Sequence, residues 1–186
     1  MPAIKKGLVR HLKYLKKPVK KSIAFVQAIA LSTITFADSM TIPESKLVVK
    51  KSTISDSGKG LFTKVFIPKG TRIIEYKGTI TTWEKIKKVK GENGYIYYVN
   101  KNWVIDAAPH PKALARYAND ARGLKKVKGI TNNSDYKEYK EDGLKVYIVA
   151  KKDIPAGSEI LVGYGKEYWD TIRYNLKIDQ LAAKKK

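Results

Sequence analysis

The sequence predicts a mostly β domain with short helices, preceded by a basic N-terminal arm and followed by a helical C-terminal tail. Two features predict this fold class. From about residue 45 to 170 the chain consists of short runs rich in β-branched and aromatic residues, which favour strands. Most runs end near glycine, proline, asparagine or aspartate, which favour turns. We therefore expect an arm at 1–44, one domain at 45–170 and a basic tail at 171–186.

Inside the domain, seven strands and two helices are expected in an order set by the turn residues between them. The strands are predicted at 47–54, 61–66, 71–76, 95–100, 103–106, 144–150 and 159–162. The helices are predicted at 82–89 and 111–118, and a helical or mixed segment at 166–183. Residues 122–143 are polar and contain glycine, asparagine and aspartate, so they are predicted to form a loop.

Two short segments resemble each other, Phe66-Ile-Pro-Lys-Gly-Thr71 and Asp153-Ile-Pro-Ala-Gly-Ser158. Proline fixes φ at the second turn position, and the glycine two residues later supports chain reversal. The pattern occurs twice only, so it predicts two similar hairpins and not a repeat architecture.

The N-terminal arm joins a basic leader to an apolar stretch at 22–37. Two interpretations stay open for it. It is either a basic amphipathic or loosely ordered segment that docks on the domain, a membrane surface or a partner, or a targeting segment that resembles a secretory signal. Its 16 residues are interspersed with serine, threonine and glutamine and are short for a membrane span.

Composition limits the class of protein. A chain of 186 residues can bury a core without disulfides, and this chain has no cysteine. Thiolate metal sites are therefore excluded, and two histidines, His11 and His110, are too few for a histidine-rich metal cluster. We expect no bound metal.

The net charge of +21 is spread over the whole chain. Residues 1–44 carry eight basic and two acidic side chains, a balance of +6, and residues 45–173 carry 26 and 14, a balance of +12. The last 13 residues carry four and one, a balance of +3. Such a surface attracts nucleic acid, an anionic membrane or an acidic protein. The alternative is a solvated lysine-rich surface that binds no polyanion.

Two distant segments carry the residues that point to chemistry. A predicted helix ends in Asn119-Asp120, within Ala115-Arg-Tyr-Ala-Asn-Asp-Ala121. Some 40 residues later an apolar run leads into Gly163-Tyr-Gly165, and glycines on both sides of a tyrosine allow a sharp turn or close approach to a ligand. We expect the two segments to meet and form one active site.

The ordered motifs of this chain resemble those of the SET-domain protein lysine methyltransferases. In sequence order they are Ser57-Gly-Lys-Gly-Leu-Phe62, Ile67-Pro-Lys-Gly70, Glu75-Tyr-Lys-Gly78, Ile105-Asp-Ala107, Arg116-Tyr-Ala-Asn-Asp-Ala121, Ile154-Pro-Ala-Gly-Ser-Glu-Ile-Leu161 and Gly163-Tyr-Gly165. The fifth resembles the family's Arg-Phe-Ile-Asn-His-Ser/Cys motif, and Asn132-Asn133 could stand for the asparagine that usually follows it. The resemblance covers about residues 45–170.

The resemblance implies a fold of small curved β-sheets around a pseudoknot, with S-adenosyl-L-methionine bound between the first motif and the asparagine motif. The residues that it implies for cofactor binding are Gly58, Lys59, Gly60, Phe62, Arg116, Tyr117, Asn119, Asp120 and Trp169. For several of these a structural role is the alternative: a plain hairpin turn for 58–60, a helix C-terminus for Asn119, and a core aromatic for Trp169.

The implied reaction is methyl transfer to the ε-amine of a protein lysine. Tyr164 would orient the methyl group and the amine, and Tyr95 would form a wall of the lysine channel, although a core role for Tyr95 is nearly as well supported. The substrate channel is expected to include Tyr97 and Val162 as well. No metal and no nucleophilic side chain are required by such a transfer.

Three departures from the family pattern affect this site. Asp120 replaces the usual histidine. Val162 stands two residues before Tyr164, where many members have phenylalanine or tyrosine, so we expect room for di- or trimethylation. No cysteine cluster follows the domain, so the lid over the substrate lysine must come from 166–183 or from the arm.

Two further functions remain as alternatives to a methyltransferase that acts on a histone tail or another basic protein. The chain could be a catalytically idle SET-like module that binds DNA or chromatin through its basic surface, or it could methylate its own lysines. A lysine-rich substrate would be repelled by the net charge unless acidic residues such as Asp135, Glu138, Glu141 or Asp142 held it, or unless DNA or an acidic partner attracted it. We expect a cytoplasmic or a nuclear, chromatin-associated protein, with an N-terminal targeting segment as the alternative.

Overall fold

A computed structural model of the chain describes residues 41–88, 93–123, 127–140 and 143–183. Almost all of the N-terminal arm, including His11 and the apolar stretch at 22–37, lies outside the described residues, as do Glu141 and Asp142. Within the described part, no helix is both long and apolar enough to span a membrane.

In the described residues, eight short strands form three small antiparallel sheets. They are β1 Leu47–Lys51, β2 Lys59–Thr63, β3 Arg72–Glu75, β4 Thr79–Thr82, β5 Ile96–Tyr98, β6 Trp103–Asp106, β7 Ser134–Tyr139 and β8 Lys145–Ala150. The sheets have the orders β1-β2, β3-β8-β7 and β4-β6-β5. Two α-helices, α1 Trp83–Lys88 and α2 Lys166–Ala183, and two 3-10 helices, Glu44–Lys46 and Leu114–Tyr117, complete the described elements. The predicted class, mostly β with few helices, is confirmed.

The main apolar core lies where the three sheets face one another. Every sheet contributes to it, for example through Leu61 of β2, Ile105 of β6 and Ile148 of β8, all nearly inaccessible to solvent. The segment 154–162 passes through the same core with Ile154, Ile160 and other apolar residues. Burial of side chains from every sheet is what holds such short strands together, because each pair alone is too small to be stable in water.

The loop predicted at 122–143 is wrong for residues 134–139, which form β7. This strand pairs with β8 over six residues, from Ser134 opposite Ala150 to Tyr139 opposite Lys145. The strand lies at the edge of its sheet and only Ser134 is buried. Its sequence, Ser-Asp-Tyr-Lys-Glu-Tyr, is therefore mostly polar and does not indicate a strand. The alternation of Tyr136 with charged neighbours was the available signal.

Three other elements differ from the prediction. The helix predicted at 111–118 is only a 3-10 helix of four residues, Leu114–Tyr117, and the chain becomes extended at Ala118. The segment 159–162 forms single bridges to three different partners and is not a continuous strand. Strand β4 was not predicted, although its sequence Thr-Ile-Thr-Thr is rich in β-branched residues.

The two similar turns at 66–71 and 153–158 pair with each other. Ile67 and Ile154 exchange both backbone hydrogen bonds, at 2.9 and 2.8 Å. In each turn the proline carbonyl accepts from the residue three positions later, and Gly70 and Gly157 occupy the third position with φ of 87° and 83°. Positive φ at this position defines a type II turn and explains the glycines, while proline takes the first position and not the second.

Candidate active site

Leu161 and Val162 run between two other segments of the chain and lead directly to Gly163-Tyr164-Gly165. On one side, the Val162 N–H donates to the Asn119 carbonyl at 2.8 Å. On the other side, the N–H groups of Asn133 and Ser134 both donate to the Leu161 carbonyl at 3.0 Å. The chain must pass between these two segments to reach the tyrosine, so the asparagine motif and the tyrosine motif are adjacent in space.

The phenol of Tyr164 is fixed by one hydrogen bond. Its hydroxyl donates to the Ala118 carbonyl at 2.7 Å, which is a good O–H···O distance. Ala118 can offer this carbonyl because the 3-10 helix has ended and the backbone is extended there. The lone pairs of the hydroxyl oxygen are left to accept hydrogen bonds from a ligand.

Burial raises the pKa of Tyr164 well above its ordinary value, and the neighbouring Tyr168, Tyr76, Asp120 and Glu159 raise it further. The same cause, loss of hydration of the phenolate, raises the pKa of Tyr168 to about 12. Both phenols are therefore neutral at physiological pH. Tyr164 can donate and accept hydrogen bonds, but it cannot act as a general base there.

Asp120 is buried with 2% exposure and is bonded through both oxygens. Its Oδ2 accepts from the backbone N–H of Tyr164 at 2.8 Å and from the indole Nε1 of Trp169 at 2.7 Å. Its Oδ1 accepts from the Arg122 N–H and from the Asn132 side-chain amide, both at 2.8 Å. Four donors fill the acceptor capacity of a carboxylate, so only the backbone of Asp120 remains for a cofactor.

A second buried carboxylate, Glu159, was missed in the sequence. It accepts from the Ser52 hydroxyl at 2.7 Å and from both the N–H and the hydroxyl of Thr53. The side-chain amide of Asn119 also donates to it at 3.2 Å, and donates to the Lys59 carbonyl at 2.9 Å. The signal available was a lone carboxylate just before an apolar run, where an unpaired charge would be costly.

This network explains one glycine of the first motif. A Cβ on Gly60 would lie 2.1 Å from Glu159 Oε1, far inside van der Waals contact. The carboxylate can occupy this position only because residue 60 has no side chain. Gly58 has φ of 68°, a left-handed conformation that favours glycine in the turn after β1. Lys59 follows as the first residue of β2. A direct contact of these residues with the cofactor stays a prediction.

Tyr164 lies in the wall of a cavity of about 540 Å³, within the usual size range of small-molecule sites. Aromatic side chains are the largest group in the wall. Their rings come from β5, β7, α2, the first residue of α1, the residue after β3 and the tyrosine motif: Tyr76, Trp83, Tyr97, Tyr98, Tyr136, Tyr164 and Tyr168. The rings of Tyr97 and Tyr136 contact each other edge to face, with centroids 5.0 Å apart.

The cavity carries little of the positive charge of the chain. Arg116 is the one basic side chain among the described residues that line it, while Asp135 and Glu167 line it as well. A third carboxylate, Glu138, accepts from the Tyr97 hydroxyl at 3.5 Å. Aromatic faces together with carboxylates favour a cationic ligand over an anionic one.

Arg116 and Tyr95 of the predicted site lie against each other. The guanidinium is centred 3.5 Å from the middle of the Tyr95 ring, and its Nη1 donates to the carbonyls of Ala107 and Ala108. Arg116 lines the cavity, but Tyr95 is not among the described lining residues; its carbonyl accepts from the Tyr76 hydroxyl. A channel role for Tyr95 stays a prediction.

The remaining predicted residues divide between core and cavity. Tyr97 lines the cavity, whereas Val162 is fully buried in the main core and Phe62 is 3% exposed. Tyr117 donates its hydroxyl to a carbonyl of the preceding loop. Trp169 is 4% exposed and faces Tyr164 with its ring nearly parallel, at 6.0 Å between centroids. Cofactor binding by Trp169 stays a prediction. In the part of the chain that the structure describes, no three histidine or acidic side chains cluster as a metal site would require.

Comparison with known families identifies this arrangement. The sequence model of the SET domain matches residues 58–165, more than half of the chain, and these residues include the first motif, the asparagine motif and the tyrosine. The chain belongs to the SET-domain family. The predicted SET fold is thereby confirmed.

Individual relatives of this SET domain are distant. It is 28% identical over 129 residues to the histone-lysine N-methyltransferase set-1 of Caenorhabditis elegans; the match covers 63% of this chain and 50% of that protein. The polycomb repressive complex 2 of Chaetomium thermophilum contains a similar structure, with a TM-score of 0.53 and 25% identity over 67% of this chain and 16% of that one. A second structure of a polycomb repressive complex 2, in a stimulated active state, gives 0.51 and 25% over 64% and 15%. The chain thus spans at most half the length of these relatives.

Proposed function

We propose that this SET domain transfers a methyl group to the ε-amine of a lysine in a basic protein. The observation that carries the proposal is the position of Tyr164, a neutral phenol fixed by the Ala118 carbonyl in the wall of an aromatic cavity. The family membership and the histone-lysine methyltransferase among its relatives support the same reaction.

The residues present fit S-adenosyl-L-methionine, which when bound would supply a methyl group on a positively charged sulfonium. The fit rests on the cavity, whose aromatic rings and carboxylates suit a cation, and on the contact between the first motif and the asparagine motif. The groups that we propose hold it are Arg116, which lines the cavity, and residues 58–62 and the backbone of Asn119-Asp120, which lie outside the described lining.

The role that we propose for Tyr164 is alignment. Its hydroxyl proton is engaged by Ala118, so its oxygen presents lone pairs to a methyl group and an amine placed in the cavity. Alignment of two reactants in this way is worth several kcal/mol of barrier. The tyrosine does not need to take a proton, in agreement with its raised pKa.

The substrate amine must lose its proton before it can attack. At an ordinary lysine pKa near 10.4, this costs about 4–5 kcal/mol at pH 7. An apolar, aromatic wall lowers the cost because burial favours the neutral amine. Apart from carboxylates, which are weak bases, no described side chain of the wall is a base at neutral pH. The proton therefore leaves to solvent through the open side of the cavity.

The proposed substrate is a lysine-rich protein segment such as a histone tail. The net charge of +21 opposes its approach, but we propose that three carboxylates attract it locally: Asp135 and Glu167 in the cavity wall, the first of them also paired with Lys151, and Glu138 beside Tyr97. Two of these carboxylates belong to β7, the edge strand that the sequence did not reveal. With histones as substrates, we propose a chromatin-associated location.

A second candidate function is supported by the charge alone. A basic surface binds DNA through its phosphates, with an affinity that falls steeply as salt rises. A catalytically idle module would show this binding and no methyl transfer. Automethylation would instead place label on the abundant lysines of the enzyme itself.

The experiment that tests these functions uses S-adenosylmethionine with a radiolabelled methyl group. The purified protein is incubated alone, with free histones and with nucleosomes, and Tyr164→Phe is run beside it. We expect label on histone lysines with the wild type and very little with the variant. Label on the enzyme alone would favour automethylation, and salt-dependent DNA binding without label on any protein would favour the idle module.

A further inference from the structure

We propose that Asp120 is a positioning residue that couples the docking of helix α2 to the orientation of Tyr164. One of its oxygens, Oδ2, accepts from two donors on different elements: the backbone N–H of Tyr164 and the indole N–H of Trp169 on α2. Neither contact involves the reacting groups. The carboxylate acts through the tyrosine and through the helix.

The carboxylate itself is held rigidly from the other side. Its Oδ1 accepts from the Arg122 N–H and from the Asn132 amide, and the Asn132 carbonyl oxygen in turn accepts from the Ala121 N–H at 2.7 Å. A neutral amide at position 120 has one acceptor oxygen and two donor hydrogens, so it could not serve both pairs of donors. This requirement accounts for a carboxylate at a site with 2% exposure.

Helix α2 completes the cavity as it makes this bond. It contributes Glu167, Tyr168 and Thr171 to the cavity wall. The ring of Tyr168 packs edge-on against both Tyr164 and Trp169, at 4.9 and 5.0 Å between centroids. With α2 in place the cavity has its last wall, and Asp120 Oδ2 is bonded to both of its donors. Release of α2 would open the wall and loosen the carboxylate oxygen that accepts from the Tyr164 N–H.

The test compares Trp169→Phe, which deletes the indole N–H and keeps an aromatic ring, with Trp103→Phe, the same change on β6 at a site 46% exposed and outside the described cavity lining. Amide hydrogen exchange of Tyr164 is measured in both. We expect exchange at least fivefold faster in Trp169→Phe and unchanged in Trp103→Phe. Unchanged exchange in Trp169→Phe, or a rise shared equally by all core amides, would overturn the coupling.

The rate readout rests on the proposed function and is kept separate. In Trp169→Phe we expect kcat to fall about tenfold, KM for a histone substrate to change less than twofold, and Asp120→Asn to repeat this pattern with a larger loss. If the folded fraction of a variant falls by the same factor as its kcat, unfolding explains the lost activity and the positioning role is contradicted. If the wild type transfers no methyl group, the proposed function fails, and the exchange experiment still decides the coupling.

Discussion

The Asn119-Asp120 pair joins two buried carboxylates, that of Asp120 itself and that of Glu159, and each accepts hydrogen bonds from four donor groups of the protein. Asp120 is bonded to Tyr164 and to α2, whereas Glu159 is bonded to the loop after β1 and to Asn119. Neither forms an ion pair with a described residue. The difference lies in what each one holds: the Asp120 side supports the phenol at the cavity, and the Glu159 side joins the first motif to the core.

This difference separates chemistry from stability. Buried charges are tolerated when hydrogen bonds replace their hydration, and removing a carboxylate leaves several donors without a partner. A change at the Tyr164 phenol, on the Asp120 side, removes one hydrogen bond only and should therefore mainly affect turnover. A change on the Glu159 side should mainly affect the free energy of unfolding.

The largest expected effect follows from Tyr164→Phe. The variant loses the oxygen that we propose aligns the reactants, so kcat should fall at least about a hundredfold. The free energy of unfolding should fall by only about 1 kcal/mol, because one hydrogen bond to the Ala118 carbonyl is lost. Methyl-transfer kinetics and urea unfolding measure the two quantities.

Tyr139→Phe serves as the matched control for that change. Tyr139 lies on β7, and its ring packs against Tyr147 and under the Arg72 guanidinium instead of lining the cavity. Its variant should retain wild-type kcat. Equal activity of Tyr164→Phe and Tyr139→Phe would remove the main support for the proposed reaction.

Glu159→Gln should produce the reverse pattern. Replacing one oxygen by an amide leaves the Thr53 or the Ser52 donor facing another donor in a buried site, at a cost of about 2–3 kcal/mol in the free energy of unfolding. Activity per folded molecule should change much less than in Tyr164→Phe. Glu84→Gln, on the exposed face of α1, is the control with no expected effect.

Glu159 would have been hard to choose for mutation from the sequence, and the reason is physical. The motifs predicted the family and the meeting of the tyrosine and asparagine motifs, and local propensity predicted most strands, although not β4. Glu159 and β7 escaped because their partners are distant in sequence: Glu159 bonds residues more than 100 positions away, and β7 gains its stability from pairing with β8. Local propensity carries no record of such contacts.

The helix predicted at 111–118 illustrates the same limit from the other direction. Its alanine and leucine favour a helix locally, but the chain must be extended at Ala118 so that Tyr164 can reach its carbonyl and Asn119 can pair with Leu161. Tertiary contacts override propensity here. The C-terminal helix at 166–183 has no such constraint, and the bounds predicted from sequence match α2.

The pH dependence of the reaction tests whether Tyr164 is an orienting group or a base. Burial raises the pKa of Tyr164, so the phenol stays neutral beyond the ordinary tyrosine value of 10.0. The substrate amine, in contrast, loses its proton as pH rises toward its pKa near 10.4. We expect kcat/KM to increase close to tenfold between pH 8 and pH 9, with the same slope in the residual activity of Tyr164→Phe. A slope that disappears in the variant would make the tyrosine a base and contradict alignment.

The smallest effect is expected at the mouth of the cavity. Glu138→Gln removes one carboxylate near Tyr97, an exposed position where charge interactions are weak and screened by salt. KM for a lysine-rich peptide should rise about threefold at low salt, with kcat unchanged, and the effect should vanish near 0.5 M salt. Asp179→Asn, an exposed change late in α2 and outside the described cavity lining, should leave KM unchanged at both salt concentrations. If KM rises equally in both variants, the net charge of the protein governs substrate binding. In that case the acidic residues of β7 do not attract the substrate locally. The contrast between the Asp120 and Glu159 regions then concerns turnover and stability, and it does not extend to substrate binding.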